Sequence, residues 1–242
     1  MIERAKRYVV LTFLLALSAC ATGPSAPMQA NQDSAGIGLS AKVINSMVVP
    51  ITYKADAVYF ARRCTPPEPC DSNIYISNYA KDGRLYWLDA PPGEYVAVAT
   101  SFRQFADPNN YIVYFPEDVI QKTRVRVDKG SFNYLGDYTL DMFLGVCPDK
   151  ADKSQLLYAE LFAPNTPKCG FMNIIGSRLA STPVVFIGNQ AYAAGGGDYH
   201  YRGTLRQFGR DSTLLHDFIS SAGKDLEGKG WESRLEQVKP MQ

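Results

Sequence analysis

Short β-forming runs, set off by turn residues and recurring every ten to fifteen residues, constrain this 242-residue chain more than any other feature. From Gly36, the apolar residues Ile37, Leu39, Ala41 and Val43 alternate with Gly38, Ser40, Lys42 and Ile44. A period of two sends successive side chains to opposite faces, so the segment reads as a half-buried strand. Further runs fit Lys54–Arg62, Asn73–Tyr79, Gly83–Asp89, Glu94–Phe102, Tyr111–Phe115, Thr123–Asp128 and Phe132–Phe143. Pro91-Pro92-Gly93 parts two aromatic-rich runs, and Asp128-Lys129-Gly130 parts the last two. Proline presets φ and glycine supplies φ > 0, which makes both stretches turns with a mechanism. In Thr123–Asp128, Val125 and Val127 should face inward while Arg124 and Arg126 face out. No long helical pattern separates these runs. That predicts an antiparallel β-sandwich rather than a parallel α/β sheet.

The pattern changes after Phe143. Asp152–Phe162 reads as a short inserted helix, capped by Asp152 with Gln155 three residues on and ended by Pro164. Pro183–Ile187 and Tyr199–Phe208 are predicted strands around the glycines 195–197. Asp211 should cap a helix over Ser212–Leu226 with Leu214, Leu215, Phe218, Ile219 and Ala222 on one face, and a short helix is predicted over Trp231–Val238. An apolar helical face needs cover, so these C-terminal helices should pack on the sandwich, giving one mainly β domain over 35–242.

Three stretches carry a fold-level resemblance: Arg84–Asp89, the turn Pro91-Pro92-Gly93-Glu94-Tyr95, and the step Tyr134-Leu135-Gly136-Asp137 after Lys129-Gly130. Over about residues 36–143 the chain resembles the transthyretin-like or immunoglobulin-like modules of bacterial envelope lipoproteins. The resemblance implies architecture more than activity.

At the amino terminus, Arg4, Lys6 and Arg7 precede an apolar run of ten residues, Tyr8–Leu17, and then Leu17-Ser18-Ala19-Cys20. A membrane-spanning helix needs about 20 residues, so the run fits a signal peptide. Small residues leading to a cysteine there resemble the lipobox of bacterial lipoproteins. The resemblance implies removal of residues 1–19, lipid on Cys20 and membrane attachment through that lipid. Ala21, where an aspartate would favour inner-membrane retention, implies the outer membrane. Residues 20–34 are small, polar and turn-forming, and are predicted to be a flexible tether with a root-mean-square reach of roughly 20 Å. The leader holds three basic residues and Glu3, a net of +2, against +1 for the whole chain, which leaves the remainder at −1. A near-neutral body lacks the basic field that nucleic-acid binding requires.

Cys64, Cys70, Cys147 and Cys169 then form an even set, which in an exported protein predicts two disulfides. Four cysteines allow three connectivities; nearness in sequence favours Cys64–Cys70 and Cys147–Cys169, contributing about 2 and about 3 kcal/mol by loop entropy. A metal site built from Cys64, Cys70, His200 and His216 fails the usual zinc spacings, and none is assigned.

Chemical motifs are sparse. Gly36-x-Gly38-x-x-Ala41 loosely matches a dinucleotide fingerprint, but no strand precedes it and a β-alternation follows, so no cofactor is assigned. Gly195-Gly196-Gly197-Asp198 lacks the Gly-Lys-Ser/Thr of a phosphate loop. His200 and His216 sit in no metalloprotease pattern, and no G-x-S-x-G elbow occurs, so no catalytic residue is assigned. Asp137 and Asp141 should share a strand face, and Asp89 and Glu94 flank the Pro-Pro-Gly turn. Tyr199, Tyr201, Arg202 and Arg206, with Arg210 beyond, form a candidate aromatic-basic ligand face. Taken together, the residues favour a non-enzymatic structural or protein-interaction module with an envelope protein as partner. A glycan-, peptide- or small-molecule-binding lipoprotein is the alternative, and a periplasmic hydrolase comes after it.

Overall fold

The computed structural model describes residues 26–45, 50–63, 73–104, 109–142 and 198–238. Among the described residues eleven strands form: β1 (Gly36–Asn45), β2 (Ile51–Lys54), β3 (Ala57–Arg63), β4 (Ile74–Ile76), β5 (Tyr79–Lys81), β6 (Arg84–Leu88), β7 (Gly93–Arg103), β8 (Asn110–Tyr114), β9 (Val125–Val127), β10 (Phe132–Met142) and β11 (Asp198–Gly209). Three helices join them among the described residues: α1 (Glu117–Lys122), α2 (Ser212–Asp225) and α3 (Glu232–Leu235). Strands hold 52% of the described residues, so the mainly β expectation stands. The predicted helix at 152–162, the strand at 183–187 and the four predicted disulfide cysteines lie outside the described residues.

The strands join into one large curled sheet of order β4-β3-β7-β8-β11-β10-β1-β6-β5, with β2 on β1 and β9 on β7. The pairing is mixed, which corrects the antiparallel expectation: β1 runs parallel to β10, and the first part of β11 runs parallel to β8. Both parallel pairs join strands far apart in the chain, where no hairpin imposes the antiparallel sense. Asp198–Arg202 of β11 pairs with β8, and Gly203–Gly209 pairs with β10. One strand therefore links two arms of the sheet. Gly203 sits at the changeover, where a Cβ would lie 2.6 Å from the Tyr114 carbonyl oxygen.

Rings on strands remote in sheet order meet, which is how the curl is seen. Phe60 of β3 lies 5.2 Å from Trp87 of β6, Trp87 lies 4.9 Å from Tyr95 of β7, and Tyr53 of β2 lies 4.4 Å from Phe102 of β7. Between the arms lies the main core, with Ile37, Leu39, Val98, Val113 and Leu140 fully buried. The predicted run Asn73–Tyr79 is two strands because the chain crosses between arms at Ser77-Asn78. Ser77 bonds Val58 through its amide and its Oγ, both at 2.9 Å. Asn78 holds Leu88 on the other arm, accepting from its amide at 2.8 Å and donating to its carbonyl at 2.7 Å.

β10 changes which face it buries. Phe132 and Tyr134 point toward the helices, whereas Tyr138, Leu140 and Met142 point into the main core. The register with β1 slips here: Gly38 opposes Tyr134, but Ser40 opposes Asp137. One extra residue inverts the parity of every side chain after it. Gly136 takes the positive φ (+112°) at this bulge, and a Cβ there would meet the Gly209 carbonyl oxygen at 2.8 Å.

The helices cover the outer face of β1, β6 and β10 with a second core of Tyr86, Phe132, Tyr134, Phe218 and Trp231. Asp211 caps α2 as predicted, its Oδ1 accepting from the amides of Thr213 and Leu214 at 2.9 and 3.0 Å. Leu215, Phe218 and Ala222 are buried, with Leu214 and Ile219 at the margin. α1 was not foreseen. Its six residues are too few for a periodic pattern, though Glu117 and Asp118 in the first turn and Lys122 in the last suit the helix dipole.

Candidate functional site

β11 carries the predicted ligand face, and its alternation takes that face apart. Tyr201 is fully buried in the main core, its ring 6.1 Å from that of Tyr111, and half-buried Tyr199 lies 5.8 Å from the same ring. Arg202, one residue out of phase, belongs to the opposite face. Arg206 is exposed and pairs with Asp141 at 3.1 Å, beside a register shift opposite Thr139/Leu140. Tyr199, Tyr201, Arg202 and Arg206 thus do not share one surface. Arg210 is part of the scaffold: it donates to the Leu135 carbonyl through Nε at 2.9 Å and to the Lys122 carbonyl through Nη2 at 2.6 Å. It thereby satisfies the oxygen that the β10 bulge frees from the ladder.

The carboxylates singled out in the sequence are occupied in the same way. Asp137 accepts from the Tyr134 hydroxyl at 2.8 Å, and Glu94 binds Arg124 at 2.6 Å and Arg63 at 3.5 Å. Asp89 takes a positive φ (63°) in the turn after β6. Among the described residues, no group of three or more His, Cys, Asp or Glu is placed to hold a metal ion. The Gly36-x-Gly38 pair belongs to packing. A Cβ on Gly36 would lie 2.6 Å from Phe132, and one on Gly38 would lie 2.5 Å from Phe218.

Among the described residues two buried polar clusters stand out. In the first, His200 on β11 places Nδ1 2.6 Å from the Tyr114 hydroxyl, the rings stacked at 5.7 Å. Burial lowers the imidazole pKa, and the charge of Asp198 opposes that only in part. Burial also pushes the Tyr114 phenol up, with Tyr59 and Asp198 adding to the shift. Both groups are therefore neutral at neutral pH. Nearby, Asn110 donates to the Tyr59 hydroxyl and to Asp198, each at 3.2 Å, and Tyr59 donates to Ser101 at 3.3 Å. His216 is exposed on α2.

The second cluster centres on Asp225, the last residue of α2, whose side chain is 2% exposed. Arg84 grips it from β6 with two bonds, Nε to Oδ2 at 2.6 Å and Nη2 to Oδ1 at 3.1 Å. The Tyr86 hydroxyl donates to Oδ2 at 2.8 Å, and Lys81 lies 3.3 Å from Oδ1. Burial alone would raise the Asp225 pKa, but the bonds from Arg84 and Tyr86, with Lys81 beside them, outweigh it and hold the carboxyl below its ordinary value. Burial first, then the hydrogen bond to Asp225 and the charge of that carboxylate, pushes the Tyr86 phenol up. Sequence reasoning passed over this cluster, although a trace was present. Asp225 continues the apolar spacing Phe218–Ala222 on α2, and Arg84 and Tyr86 alternate on one face of β6. A carboxylate on a helix's apolar stripe calls for a cation opposite it.

Part of the predicted tether is fastened to the body. Trp231 Nε1 donates to the Met28 carbonyl at 2.8 Å, and the Ala30 amide donates to the Lys229 carbonyl at 2.8 Å. Arg234 bonds the carbonyls of Asn31 and Gln32 and lies over the Trp231 ring, and Lys129 pairs with Asp33 at 3.1 Å. Asn31 and Ser34 close the turn between them, Ser34 Oγ accepting from the Asn31 amide at 3.1 Å. The body therefore begins at Met28, inside the segment 20–34 expected to be a tether. Cys20 itself, with Cys64, Cys70, Cys147 and Cys169, lies outside the described residues. Comparison of the chain with protein-family models, with curated proteins and with solved structures finds no match.

Proposed function

We propose that this chain is a bacterial envelope lipoprotein, held in the outer membrane by lipid on Cys20 after loss of residues 1–19. Its folded part acts as a non-enzymatic structural or protein-interaction module, and its curled sheet is a variant of the transthyretin-like or immunoglobulin-like sandwich. One observation carries the reading of the body: the buried polar side chains described above act as joints. Asp225 fastens α2 to β6, His200 and Tyr114 link β11 to β8, and Arg210 closes the bulge in β10. The leader, the lipobox-like Leu17–Cys20 and the even cysteine set support the compartment.

The test is made in the native envelope. Cys20→Ala should abolish incorporation of a labelled fatty acid and release the protein from membranes. Retention in the membrane fraction would refute the anchor. Crosslinking of the wild-type chain should give a discrete adduct with an envelope protein. Hydrolytic turnover by the purified chain, abolished by His200→Ala, would refute the non-enzymatic reading.

A further inference from the structure

The fastened strap Met28–Ser34 fixes which end of the body lies against the lipid. It enters β1 at Gly36, whose neighbours across the sheet are Leu88 and Phe132. The Gly36 amide also donates to the Ser131 carbonyl at 2.8 Å, and the Ala90 amide donates to the Ala35 carbonyl at 2.9 Å. One pole of the molecule thus gathers the strap, the 128–131 turn, the start of β7 and the 227–234 turn that holds Met28. The other pole lies at the far end of β1, where Asn45 opposes Met142 and Ile51, and Met142 opposes Gly203. Ten residues of β1 separate the poles, about 30 Å at the rise of a strand.

Only eight residues run from Cys20 to the Met28 carbonyl held by Trp231. Fully extended, they span at most about 28 Å. A leash reaching to Ala35 would span about 50 Å. The shorter leash is no longer than the body, so the strap pole stays at the lipid and the far pole cannot be turned onto it. The geometry points to the strap pole, with Lys129, Lys229 and Arg234 at its surface, as a docking face for phospholipid headgroups. The Asn45/Met142/Gly203 pole is then presented to the aqueous compartment. The charges at the lipid-facing pole are mixed, with Lys129 paired to Asp33 and Arg126 to Asp128, so the covalent leash and not an anionic lipid selects this face. The inference rests on the lipid anchor proposed above.

The full lipidated chain is placed in phosphatidylcholine–phosphatidylglycerol vesicles containing a headgroup-diazirine lipid, irradiated, and mapped by mass spectrometry. Adducts should fall at 128–131 and 228–234 in several-fold excess over 51–54 and 203–206. Inserting a long Gly-Ser segment after Ala21 leaves the strap intact and should remove most of that excess. Equal labelling of the two poles in the unmodified chain, or an excess at the far pole, overturns the proposal, as does an excess that survives the insertion. Intact mass separates the two readings. A chain without lipid on Cys20 refutes the anchor, and the chain from Cys20 carrying an amino-terminal histidine tag on nickel-chelating vesicles then tests the docking face by the same adduct ratio.

Discussion

Gly38→Ala isolates the contact on which the helical layer depends. Gly38 lies in β1 with its missing side chain facing α2, and a Cβ would sit 2.5 Å from Phe218 Cζ and 3.0 Å from two carbons of Phe132. Phe218 has little room to withdraw, because its ring lies 4.5 Å from Tyr134 and 5.7 Å from Tyr86. Two effects oppose each other. Replacing glycine by alanine in an extended backbone stabilises by about 0.4–1 kcal/mol through the unfolded chain. Forcing an extra carbon into a packed layer costs about 1–3 kcal/mol. The clash wins, and a net loss of about 1–2 kcal/mol is expected, or about 2–8 °C in Tm for a body of this size. Urea unfolding followed by fluorescence is a natural assay, since Trp231 sits in the helical layer and Trp87 in the main core. Phe218→Leu should rescue Gly38→Ala in part, with a coupling of about 0.5 kcal/mol or more in the double-mutant cycle. A Gly38→Ala protein as stable as wild type, or strictly additive costs, would refute the close-approach reasoning.

Gly223, on the same helix, provides the opposite case. Nothing lies within 4 Å of its virtual Cβ, so Gly223→Ala should stabilise by about 0.5–1 kcal/mol, checked by the shift in urea midpoint. Asp225→Ala strands Arg84 and Lys81 beside a buried phenol, and should cost about 3–5 kcal/mol in the same titration. The folded Asp225 carboxyl lies below its unfolded value, so its stabilisation is present above about pH 4 and is lost as pH falls from there through the folded pKa. His200 gives an earlier step with the same sign. Its folded pKa is depressed, so the unfolded chain takes up the proton first, and stability falls as pH drops below about 6.5. Acid titration of Tm should show both steps in wild type and lose the upper one in His200→Phe; an unchanged upper step would assign it elsewhere. Tyr114→Phe removes the hydroxyl paired with Nδ1 and should cost about 1–3 kcal/mol by urea unfolding.

What the chain disclosed about itself follows the range of the forces involved. Local effects were legible. Period-two alternation located β1, turn-bounded β-forming runs located β3, β6, β7, β8, β10 and β11, the Asp211 cap opened α2 where expected, and Val125 and Val127 of β9 turn inward as their spacing requires. Pairing partners were not legible, because the parallel contacts of β1 with β10 and of β11 with β8 join residues with no turn between them to set direction. The residues of the predicted ligand face are not gathered on one surface, and the reason is phase. Tyr199 and Tyr201 alternate with Arg202, and strand geometry sends the two sets to opposite sides. Gly36-x-Gly38 shows how far a motif depends on what covers it. The same two glycines can admit a pyrophosphate at a helix amino terminus or an aromatic ring across a sheet. Here Phe132, Trp231 and Phe218, from 94 to 195 residues away in the chain, occupy the space. Asp225 belongs to the same class, since an acidic residue on an apolar helical stripe is unstable until a distant cation meets it. Arg84, 141 residues earlier, is that cation, and only the closed fold brings the two together.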